Sequence, residues 1–518
     1  MNRRDFLKTS LASFFTLVAS SQEIFAKATS SNYGGSKGVV FIVGDGWPLG
    51  VMRTMNEFIE RKFKEKSYLF SLLNNPRSRI ALQNTSSLSS IVTDSAPASV
   101  AWATGSKTIN RSLAVLPNGT ILRTIFELGT QAGLSCGFVT TTRITHATPA
   151  AWYSHNPNRD DEESIAIDLL NSNLKVAMGG GDRFFNPERR KDRLDLYAKF
   201  VSRGYKVVKT REELKECMAD ESPILGIFSS SHMSYFVDRI NDEKIGKIEP
   251  SLPEMAMVAL QKLSKNRKGF ILQIEAGRID HACHANDAYA AMMDSYELDK
   301  TVGVVLEFIN KNPDVLLIVT SDHGNSGYGI NGTGPEYNDS TEALMSYKNK
   351  ASFEYMIRKM RNQDVRTLKE IFETYTGQGI SIEEAEEIYK KLNEKKKVVM
   401  NDIWYEPEAT MGMFLRKSVY EYDHQEDRPI NPPKERRGNV GFTSTNHTGE
   451  DQLVIVYGKE SYLRNLKSAI DNTHLYDLMC SYMNIKHLNP KMSKKDGVLY
   501  AKPLSPKEWE RHLRLHIS

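Results

Sequence analysis

The sequence predicts an α/β fold in which helices cover both faces of a large, mostly parallel central sheet. Short apolar runs without strict alternation are typical of strands that are buried on both faces. Helix-like segments separate most of these runs, and such strand–helix alternation favours a parallel sheet. The strand-like runs are Lys37–Val43, Leu134–Thr140, Leu174–Met178, Phe270–Glu275, Val315–Thr320 and Leu453–Tyr457. The helix-like segments between them include Ile121–Ala132, Asp160–Leu170, Leu252–Leu263 and Asp287–Asn310.

Residues 331–437 depart from this alternation. They are rich in charge, contain few strand-like runs and carry long helical signals at Thr367–Thr376 and Ile382–Lys397. We therefore expect an inserted helical cap that ends in a linker-like stretch, Pro432–Arg437. The core would comprise residues 37–330 and 438–490, and residues 491–518 would form a basic tail over the surface.

The N-terminus predicts export. Arg3 and Arg4 precede an apolar run, Leu11–Ala19, and small residues follow, which is the pattern of a twin-arginine-type signal peptide over residues 1–28. The run is shorter than the roughly 20 apolar residues that cross a membrane, so we expect a periplasmic or secreted protein without a transmembrane anchor. The net charge of +4 is too small to indicate a nucleic acid partner.

Four cysteines leave the redox state open. Cys136, Cys217, Cys283 and Cys480 allow three complete disulfide pairings, and the sequence does not choose between them. The absence of a Cys-x-x-Cys pair argues against a cysteine zinc site. Cys136 lies in an apolar run and is expected to be a buried thiol.

The stretch Ile91–Ile109 places a serine at the expected start of a helix. Asp94 and Ser95 precede a run of small residues, and Pro97 suits the first turn of a helix. Unpaired N–H groups at such a position stabilise a phosphate or an oxyanion. An ordinary N-cap explains the same pattern, so this stretch alone does not decide between the two interpretations.

Carboxylates and histidines gather at the ends of the predicted strands. Ligands of open α/β sheets bind beyond the carboxyl ends of the strands, so these residues are expected to share one crevice. Asp280 and His284 are four residues apart on one helix face, which suits a shared metal ion. Mixed histidine and carboxylate ligands favour zinc, and carboxylate and hydroxyl oxygens favour magnesium. The residues concerned are Asp45, His146, Glu275, Asp280, His281, His284, Asp322, His323 and His447.

Five blocks of sequence, taken in order, resemble the alkaline phosphatase family. They are VFIVGDG, VTDSAPASVAWATGSKT, TTTRITHATPAAWYSHNPNR, LQIEAGRIDHACH with VTSDHG, and TNHTGEDQ. The likeness covers most of the chain except the signal, the inserted region and the tail. It implies an alkaline-phosphatase-like fold, hydrolysis of small phosphate monoesters, a crown-like role for the insertion and a homodimer.

The resemblance also implies a role for each matched residue. Ser95 would be the nucleophile that becomes phosphoserine, and Arg159 would bind two phosphate oxygens with its guanidinium. Two Zn²⁺ ions and one Mg²⁺ ion would complete the site. The first zinc would be held by Asp280, His284 and His447, the second by Asp45, Asp322 and His323, and the magnesium by Asp45, Thr148 and Glu275, with His146 and His281 nearby.

Two features depart from the family's best-known bacterial members. His146 and His281 stand where those enzymes carry an aspartate and a lysine, which leaves the identity of the third metal open. Trp47 follows the first block, where it either borders the substrate entrance or packs in the interior, and we expect packing.

Three alternatives to a phosphomonoesterase are weaker. A sulfatase of the same superfamily would carry an arginine where this chain has Ser99, and a phosphodiesterase usually has a threonine in place of Ser95 and lacks a third metal site. A non-catalytic metal- or phosphate-binding periplasmic protein would have no need of the nucleophile and the arginine together.

Overall fold

The structure is a computed structural model of the chain. It describes residues 35–218, 221–394, 406–415, 422–423, 428–429, 438–464 and 466–517. The predicted signal peptide over residues 1–28 and the linker-like stretch Pro432–Arg437 lie outside these residues. Within the described ranges, no helix combines the length and the apolar character that crossing a membrane requires.

The strands are short, and those of the main sheet are largely buried. In chain order they are β1 (Gly38–Gly44), β2 (Ser78–Asn84), β3 (Ser135–Arg143), β4 (Val176–Gly180), β5 (Lys206–Val208), β6 (Ile224–Ile227), β7 (Phe270–Ala276), β8 (Val315–Ser321), β9 (Gly324–Asn325), β10 (Gly329–Ile330), β11 (Tyr422–Asp423), β12 (Arg428–Pro429), β13 (Val440–Gly441), β14 (His447–Thr448), β15 (Gln452–Tyr457) and β16 (Ala469–Asp471).

Ten strands of the described chain form one sheet in the order β16-β2-β15-β8-β1-β7-β3-β4-β6-β5. β15 runs antiparallel to its neighbours β8 and β2, and the other neighbouring strands are parallel. β1 lies near the middle, with Gly38 opposite Phe270 in β7 and Val315 in β8. The predicted large, mostly parallel sheet is confirmed.

Helices connect the strands. Up to β8 they are Leu49–Phe58, Tyr68–Leu73, Ser95–Thr104, Ile125–Gln131, Ala147–Ala150, Glu162–Asn171, Leu196–Ser202, Arg211–Glu216, Phe236–Asn241, Glu243–Ile248, Leu252–Leu263, Arg278–His284 and Ala288–Lys311, with a π-helical turn at Ile59–Phe63 and a 3₁₀ turn at Asp182–Phe184. After β8 they are Ser340–Met345, Phe353–Met360, Val365–Thr376, Ile382–Asn393, Glu406–Leu415, Glu460–Leu463, His474–Met483, Lys494–Val498 and Pro506–Ile517, with a 3₁₀ turn at Pro335–Tyr337.

Apolar clusters pack on both faces of the sheet, as predicted. Side chains of β1 alternate between them, because Val40 and Ile42 join one cluster and Val39 and Phe41 join the other. The first cluster includes side chains of Leu49–Phe58, Leu252–Leu263 and Ala288–Lys311. The second includes side chains of Ser95–Thr104, Ile125–Gln131, Glu162–Asn171 and His474–Met483.

All six predicted strands are present, and their ends differ from the prediction by at most three residues. Four further strands of this sheet, β2, β5, β6 and β16, were not predicted from the sequence. β2 leaves Ile80 and Leu82 exposed, so its sequence alternates and lacks a continuous apolar run. β5 and β16 are three residues long and β6 four, which is too short for a pattern to stand out.

The predicted insertion begins and ends at neighbouring points. β10 pairs with β13, so Ile330 lies opposite Val440. The predicted helices Thr367–Thr376 and Ile382–Lys397 correspond to Val365–Thr376 and Ile382–Asn393, and residues 395–397 lie outside the described chain. Buried side chains of this region, such as Phe353 and Met356, belong to the same apolar cluster as one face of the sheet. These helices therefore pack on the layer that covers that face.

Two further expectations concern the cysteines and the C-terminus. Cys136 is a buried free thiol, as are Cys283 and Cys480. Burial raises the pKa of Cys136 to about 12, so its thiol stays protonated and unreactive near neutral pH. The predicted surface tail contains two helices, and most of its described residues are exposed, whereas His512 in the second helix is buried.

Candidate active site

The carboxyl ends of three neighbouring strands bring the predicted acidic ligands to one edge of the sheet. Asp45 follows β1, Glu275 lies near the end of β7, and Asp322 follows β8. His447 reaches the same edge because β15, which begins shortly after it, runs antiparallel to β8. The shared crevice expected from the strand order is therefore present.

Ser95 is the first residue of the helix Ser95–Thr104 and is 2% exposed. Asp94 is the N-cap, and its Oδ1 accepts the N–H of Ala96 at 2.8 Å. The Oγ of Ser95 lies 3.4 Å from Asp45 Oδ1 and 3.2 Å from His323 Nε2. The N-cap interpretation therefore applies to Asp94, and the Ser95 hydroxyl faces two of the predicted metal ligands.

Three histidines present the same ring nitrogen to the crevice. Each Nδ1 lies 2.5 to 3.1 Å from a backbone carbonyl oxygen. A carbonyl only accepts hydrogen bonds, so each Nδ1 carries a proton, and in the neutral form of each ring Nε2 presents a lone pair to the crevice. Metal-ligating histidines are commonly oriented in this way. The pairs are His284 with Thr445, His447 with Thr93, and His323 with Gly324.

The first ligand group consists of Asp280, His284 and His447. The Nε2 atoms of His284 and His447 face each other at 3.1 Å. Asp280 Oδ2 lies 3.3 Å from His284 Nε2, and Asp280 Oδ1 lies 3.6 Å from His447 Nε2. Two facing lone pairs and a carboxylate fit a cation held between them.

The second ligand group consists of Asp45, Asp322 and His323. His323 Nε2 lies 3.2 Å from Asp322 Oδ2 and 3.5 Å from Asp45 Oδ1. The other Asp322 oxygen accepts the backbone N–H of Gly46 at 3.0 Å. Gly46 has a φ of 53°, and a Cβ there would lie 2.4 Å from an Asp280 oxygen, so this turn requires glycine.

The third ligand group consists of Asp45, His146 and Glu275. Asp45 Oδ2 lies 3.9 Å from His146 Nδ1, and Glu275 Oε1 lies 3.8 Å from the same nitrogen. Thr148 donates its hydroxyl to Asp45 Oδ2 at 3.2 Å. Within the described chain Glu275 Oε1 has no hydrogen-bond partner. Because Asp45 directs Oδ1 to the second group and Oδ2 to the third, its carboxylate joins the two.

The crevice concentrates negative charge out of contact with water. Burial and the carboxylates of Asp322, Asp280 and Glu275 raise the pKa of Asp45 well above its ordinary value. Burial lowers the pKa of His323 to about 4 and that of His447 to about 3, so these rings are neutral near neutral pH. Buried carboxylates beside neutral imidazoles suit a metal cation, because the oxygens and ring nitrogens can bind it and its charge balances that of the carboxylates.

Arg159 supplies a buried cation beside Ser95. Its Nη1 donates to Asp94 Oδ1 at 3.1 Å, and its Nη2 donates to His146 Nε2 at 3.0 Å. Although burial lowers the pKa of Arg159, Asp94 and the nearby carboxylates raise it overall. The guanidinium is therefore charged and held next to the N-terminus of the Ser95 helix.

The comparisons with known proteins agree with this geometry. A family model described as alkaline phosphatase matches residues 36–485. The chain belongs to the alkaline phosphatase family. Alkaline phosphatase 3 of Bacillus subtilis is 30% identical over 475 residues, which cover 90% of this chain and 92% of that protein. Alkaline phosphatase 4 of the same organism is 32% identical over 390 residues, 74% of each chain. The crystal structure of Thermus thermophilus alkaline phosphatase superposes with a TM-score of 0.81 at 36% identity, covering 90% of this chain and 95% of that one.

Two residues beside the candidate ligand groups were not predicted from the sequence. Asn325 Nδ2 donates to Asp280 Oδ1 at 2.6 Å, so it orients a carboxylate of the first ligand group. His232 packs against His281, with ring centroids 4.3 Å apart, and 5.6 Å from the ring of His146. Asn325 directly follows the Asp-His-Gly block and could have been suspected, whereas nothing in the sequence around His232 marks it.

Trp47 and His281 complete the surroundings of the site. Trp47 is 1% exposed and donates its Nε1–H to Ser295 Oγ at 2.7 Å, so it packs in the core as expected. His281 is 1% exposed, and neither of its ring nitrogens has a hydrogen-bond partner within the described residues. Burial and the charge of Arg278 hold the pKa of His281 well below its ordinary value, so this ring is neutral.

Proposed function

We propose that the chain hydrolyses small phosphate monoesters through a phosphoserine on Ser95, at a site that holds two zinc ions and one magnesium ion. The observation that carries this proposal is the position of the Ser95 hydroxyl, 3.2 Å from His323 Nε2 and 3.4 Å from Asp45 Oδ1, at the N-terminus of a helix. A nucleophile, an anion-binding helix end and three ligand groups then meet at one point.

The ligand sets support the assignment of the metals. The first group, with two imidazoles and one carboxylate, and the second, with one imidazole and two carboxylates, suit zinc. Asp45, Thr148 and Glu275 offer oxygen atoms, which suit magnesium, and His146 and His281 border this third position. When bound, the metal ions supply Lewis-acid stabilisation of the oxygen that attacks and the oxygen that leaves.

In the first step the Oγ of Ser95 loses its proton and forms a bond to phosphorus. The bond between phosphorus and the ester oxygen breaks, and the alcohol leaves with a proton. Arg159 donates to two non-bridging oxygens, and the N–H groups at the start of the Ser95 helix face the same negative charge. The buried setting strengthens these interactions because little water competes for the charge.

In the second step a water molecule attacks the phosphorus of phosphoserine from the opposite side. The bond to the Ser95 oxygen breaks, inorganic phosphate leaves, and the serine hydroxyl is restored. Arg159 binds the phosphoryl oxygens in both steps, which makes it a determinant of affinity for the substrate and for the phosphate product.

Hydrolysis of chromogenic esters tests the proposal and separates it from its alternatives. Purified protein with zinc and magnesium is expected to release nitrophenol from p-nitrophenyl phosphate much faster than from bis(p-nitrophenyl) phosphate or p-nitrophenyl sulfate. Faster turnover of the diester or the sulfate would favour a phosphodiesterase or a sulfatase. If no ester is hydrolysed, the non-catalytic alternative stands.

Three further assignments belong to the same proposal. The Arg3-Arg4 signal pattern supports export to the periplasm or the medium, and N-terminal sequencing of protein recovered from those fractions tests it. We also propose a homodimer, which the mass in solution tests. The division at residues 331–437 is supported by the β10–β13 pairing, and deletion of this region should alter assembly or substrate preference while the ligand groups still bind metal.

A further inference from the structure

The C-terminal helix Pro506–Ile517 packs against the segment that carries Arg159. Arg511 Nη2 donates to the backbone oxygen of Asp160 at 2.9 Å. The His512 Nδ1 lies 3.1 and 3.2 Å from the two oxygens of the Asp160 carboxylate, and because a carboxylate only accepts, Nδ1 carries a proton and donates to Asp160. His512 is 8% exposed, so this contact is part of the interior rather than a surface encounter.

Arg111 connects this helix to the phosphate site. Its backbone oxygen accepts the N–H of Arg159 at 2.8 Å, and its own N–H donates to Asp94 Oδ2 at 2.6 Å. Arg111 has a φ of 74°, a conformation that costs a non-glycine residue free energy and persists where surrounding contacts enforce it. Besides these two backbone hydrogen bonds, its guanidinium bonds to the Asp160 carboxylate and, at 3.2 Å, to Asn158 Oδ1.

Asp94 would move with any shift of the Arg111 backbone, because it accepts the N–H of Arg111. Its carboxylate accepts from Arg111 N and Arg159 Nη1, and also from Ala96 N in the first turn of the Ser95 helix. One carboxylate thus sets the position of the guanidinium relative to the nucleophile. A displacement of the Arg111 backbone would move Arg159 in two ways, through the Arg159 N–H bond to the Arg111 oxygen and through the Asp94 carboxylate that both residues contact. It would also move the helix that begins at Ser95, because Ala96 donates to the same carboxylate.

We propose that the C-terminal helix is a positioning element of the phosphate site, in which His512 donates to Asp160, Asp160 holds the guanidinium of Arg111, and Arg111 holds Arg159 beside Ser95. The proposal rests on the proposed function in one respect, namely that Arg159 binds the phosphoryl group. His512, Asp160 and Arg111 act through Arg159 and are positioning residues.

Charge and burial favour this arrangement. The side chain of Asp160 is 4% exposed and that of Arg111 is 19% exposed, so the ion pair is screened little by water. Although burial raises it, hydrogen bonds from His512 and Arg111 hold the pKa of Asp160 well below its ordinary value. The carboxylate therefore stays charged, and loss of either partner leaves a buried charge less well satisfied.

The test compares two replacements of His512 in the full-length, metal-loaded protein. His512→Leu removes the ring nitrogens, and His512→Asn retains a polar atom near the position of Nδ1. Lys507→Ala is the matched control, because Lys507 is exposed on the same helix. The readouts are kcat/KM for p-nitrophenyl phosphate, the inhibition constant of inorganic phosphate and the unfolding temperature.

Weaker phosphate binding is the expected result. His512→Leu should lower kcat/KM and raise the inhibition constant by about tenfold, since small misplacements of a binding group cost one to two orders of magnitude. His512→Asn should lie closer to wild type, and Lys507→Ala should match it. In an Arg159→Ala background, His512→Leu should have no further effect on either quantity.

Several outcomes would overturn the inference. The positioning role is refuted, while the proposed function stands, if Arg159→Ala weakens phosphate binding but His512→Leu does not. The same holds if His512→Leu changes kcat/KM and the inhibition constant by the same factor with and without Arg159. An inactive wild-type protein would overturn the proposed function as well. If His512→Leu does not fold, Arg111→Gly replaces it, because glycine tolerates the positive φ while the guanidinium is lost. Wild-type phosphate inhibition in Arg111→Gly would then contradict the proposal.

Discussion

Removal of the Arg159 guanidinium should cost catalysis far more than stability. The guanidinium has five N–H donors, and the structure commits one of Nη1 to Asp94 and one of Nη2 to His146. One hydrogen on each terminal nitrogen remains to bind two phosphate oxygens. Hydrogen bonds to charged groups contribute roughly 1.5 to 3 kcal/mol each, so Arg159→Ala should lower kcat/KM by roughly 10²- to 10⁴-fold.

The fold should survive this substitution. Asp94 keeps two donors, the N–H groups of Ala96 and Arg111, and is not left without partners. Arg159→Lys should show an intermediate loss, because an ammonium group cannot form the planar fork. Arg53→Ala is the matched control, since Arg53 is largely exposed and pairs only with Glu57 among the described residues.

Steady-state kinetics with p-nitrophenyl phosphate and inhibition by inorganic phosphate measure the effect, and thermal unfolding checks the fold. A folded Arg159→Ala protein whose kcat/KM and phosphate inhibition stay within about threefold of wild type would refute the role of this guanidinium, since two lost charge-assisted bonds cannot cost so little.

Three further predictions concern metal, ligand orientation and pH. Chelation should abolish hydrolysis, and zinc with magnesium should restore it; activity that survives metal removal would contradict the ligand assignment. Asn325→Ala should weaken zinc binding by about 10- to 100-fold, because Asn325 orients the Asp280 carboxylate. Asn393→Ala, at an exposed helix end, is the control and should bind zinc as wild type does. The zinc that each protein retains after dialysis measures the difference. Burial raises the pKa of Asp238 from 3.8 to about 7, so its stabilising contribution is complete below pH 3.8 and is lost as the pH rises through 7. The unfolding temperature of Asp238→Asn should therefore fall less than that of wild type between pH 5 and pH 8. If the unfolding temperatures of the two proteins fall in parallel with pH, this carboxyl is not the cause.

Most residues of the three ligand groups could be predicted to lie together, because their positions follow from local patterns. Asp45 and Asp322 come after apolar runs, and parallel strands end at the same edge of a sheet. Asp280 and His284 share a helix face through their spacing. The position of His447 is harder to predict, because this residue precedes its strand and no sequence pattern shows the antiparallel direction of β15 that brings it to the site.

The surroundings of the site could not be predicted in the same way. His232 lies far along the chain from His146 and His281 and reaches them only through the tertiary fold. His512 belongs to a segment with the composition of a surface tail, yet it contacts Asp160 next to Arg159. Such contacts depend on how helices dock, which apolar periodicity within each helix does not specify.

β2, which lies between β16 and β15, could not be predicted for a related reason. β2 carries Ile80 and Leu82 on an exposed face, so its alternating pattern did not match the continuous apolar runs that mark the central strands. Burial on both faces is what makes β1, β7 and β8 recognisable, and Asp45, Glu275 and Asp322 lie at the ends of these strands.

The most direct test of the account is to locate the phosphoryl group during turnover. The metal-loaded protein is mixed with excess p-nitrophenyl phosphate, quenched with acid and digested for mass spectrometry. The account predicts one added phosphoryl group on the peptide that contains Ser95, located on that residue, and neither the modification nor hydrolysis in Ser95→Ala. Turnover with a phosphoryl group on another residue, or hydrolysis by Ser95→Ala at the wild-type rate, would contradict it.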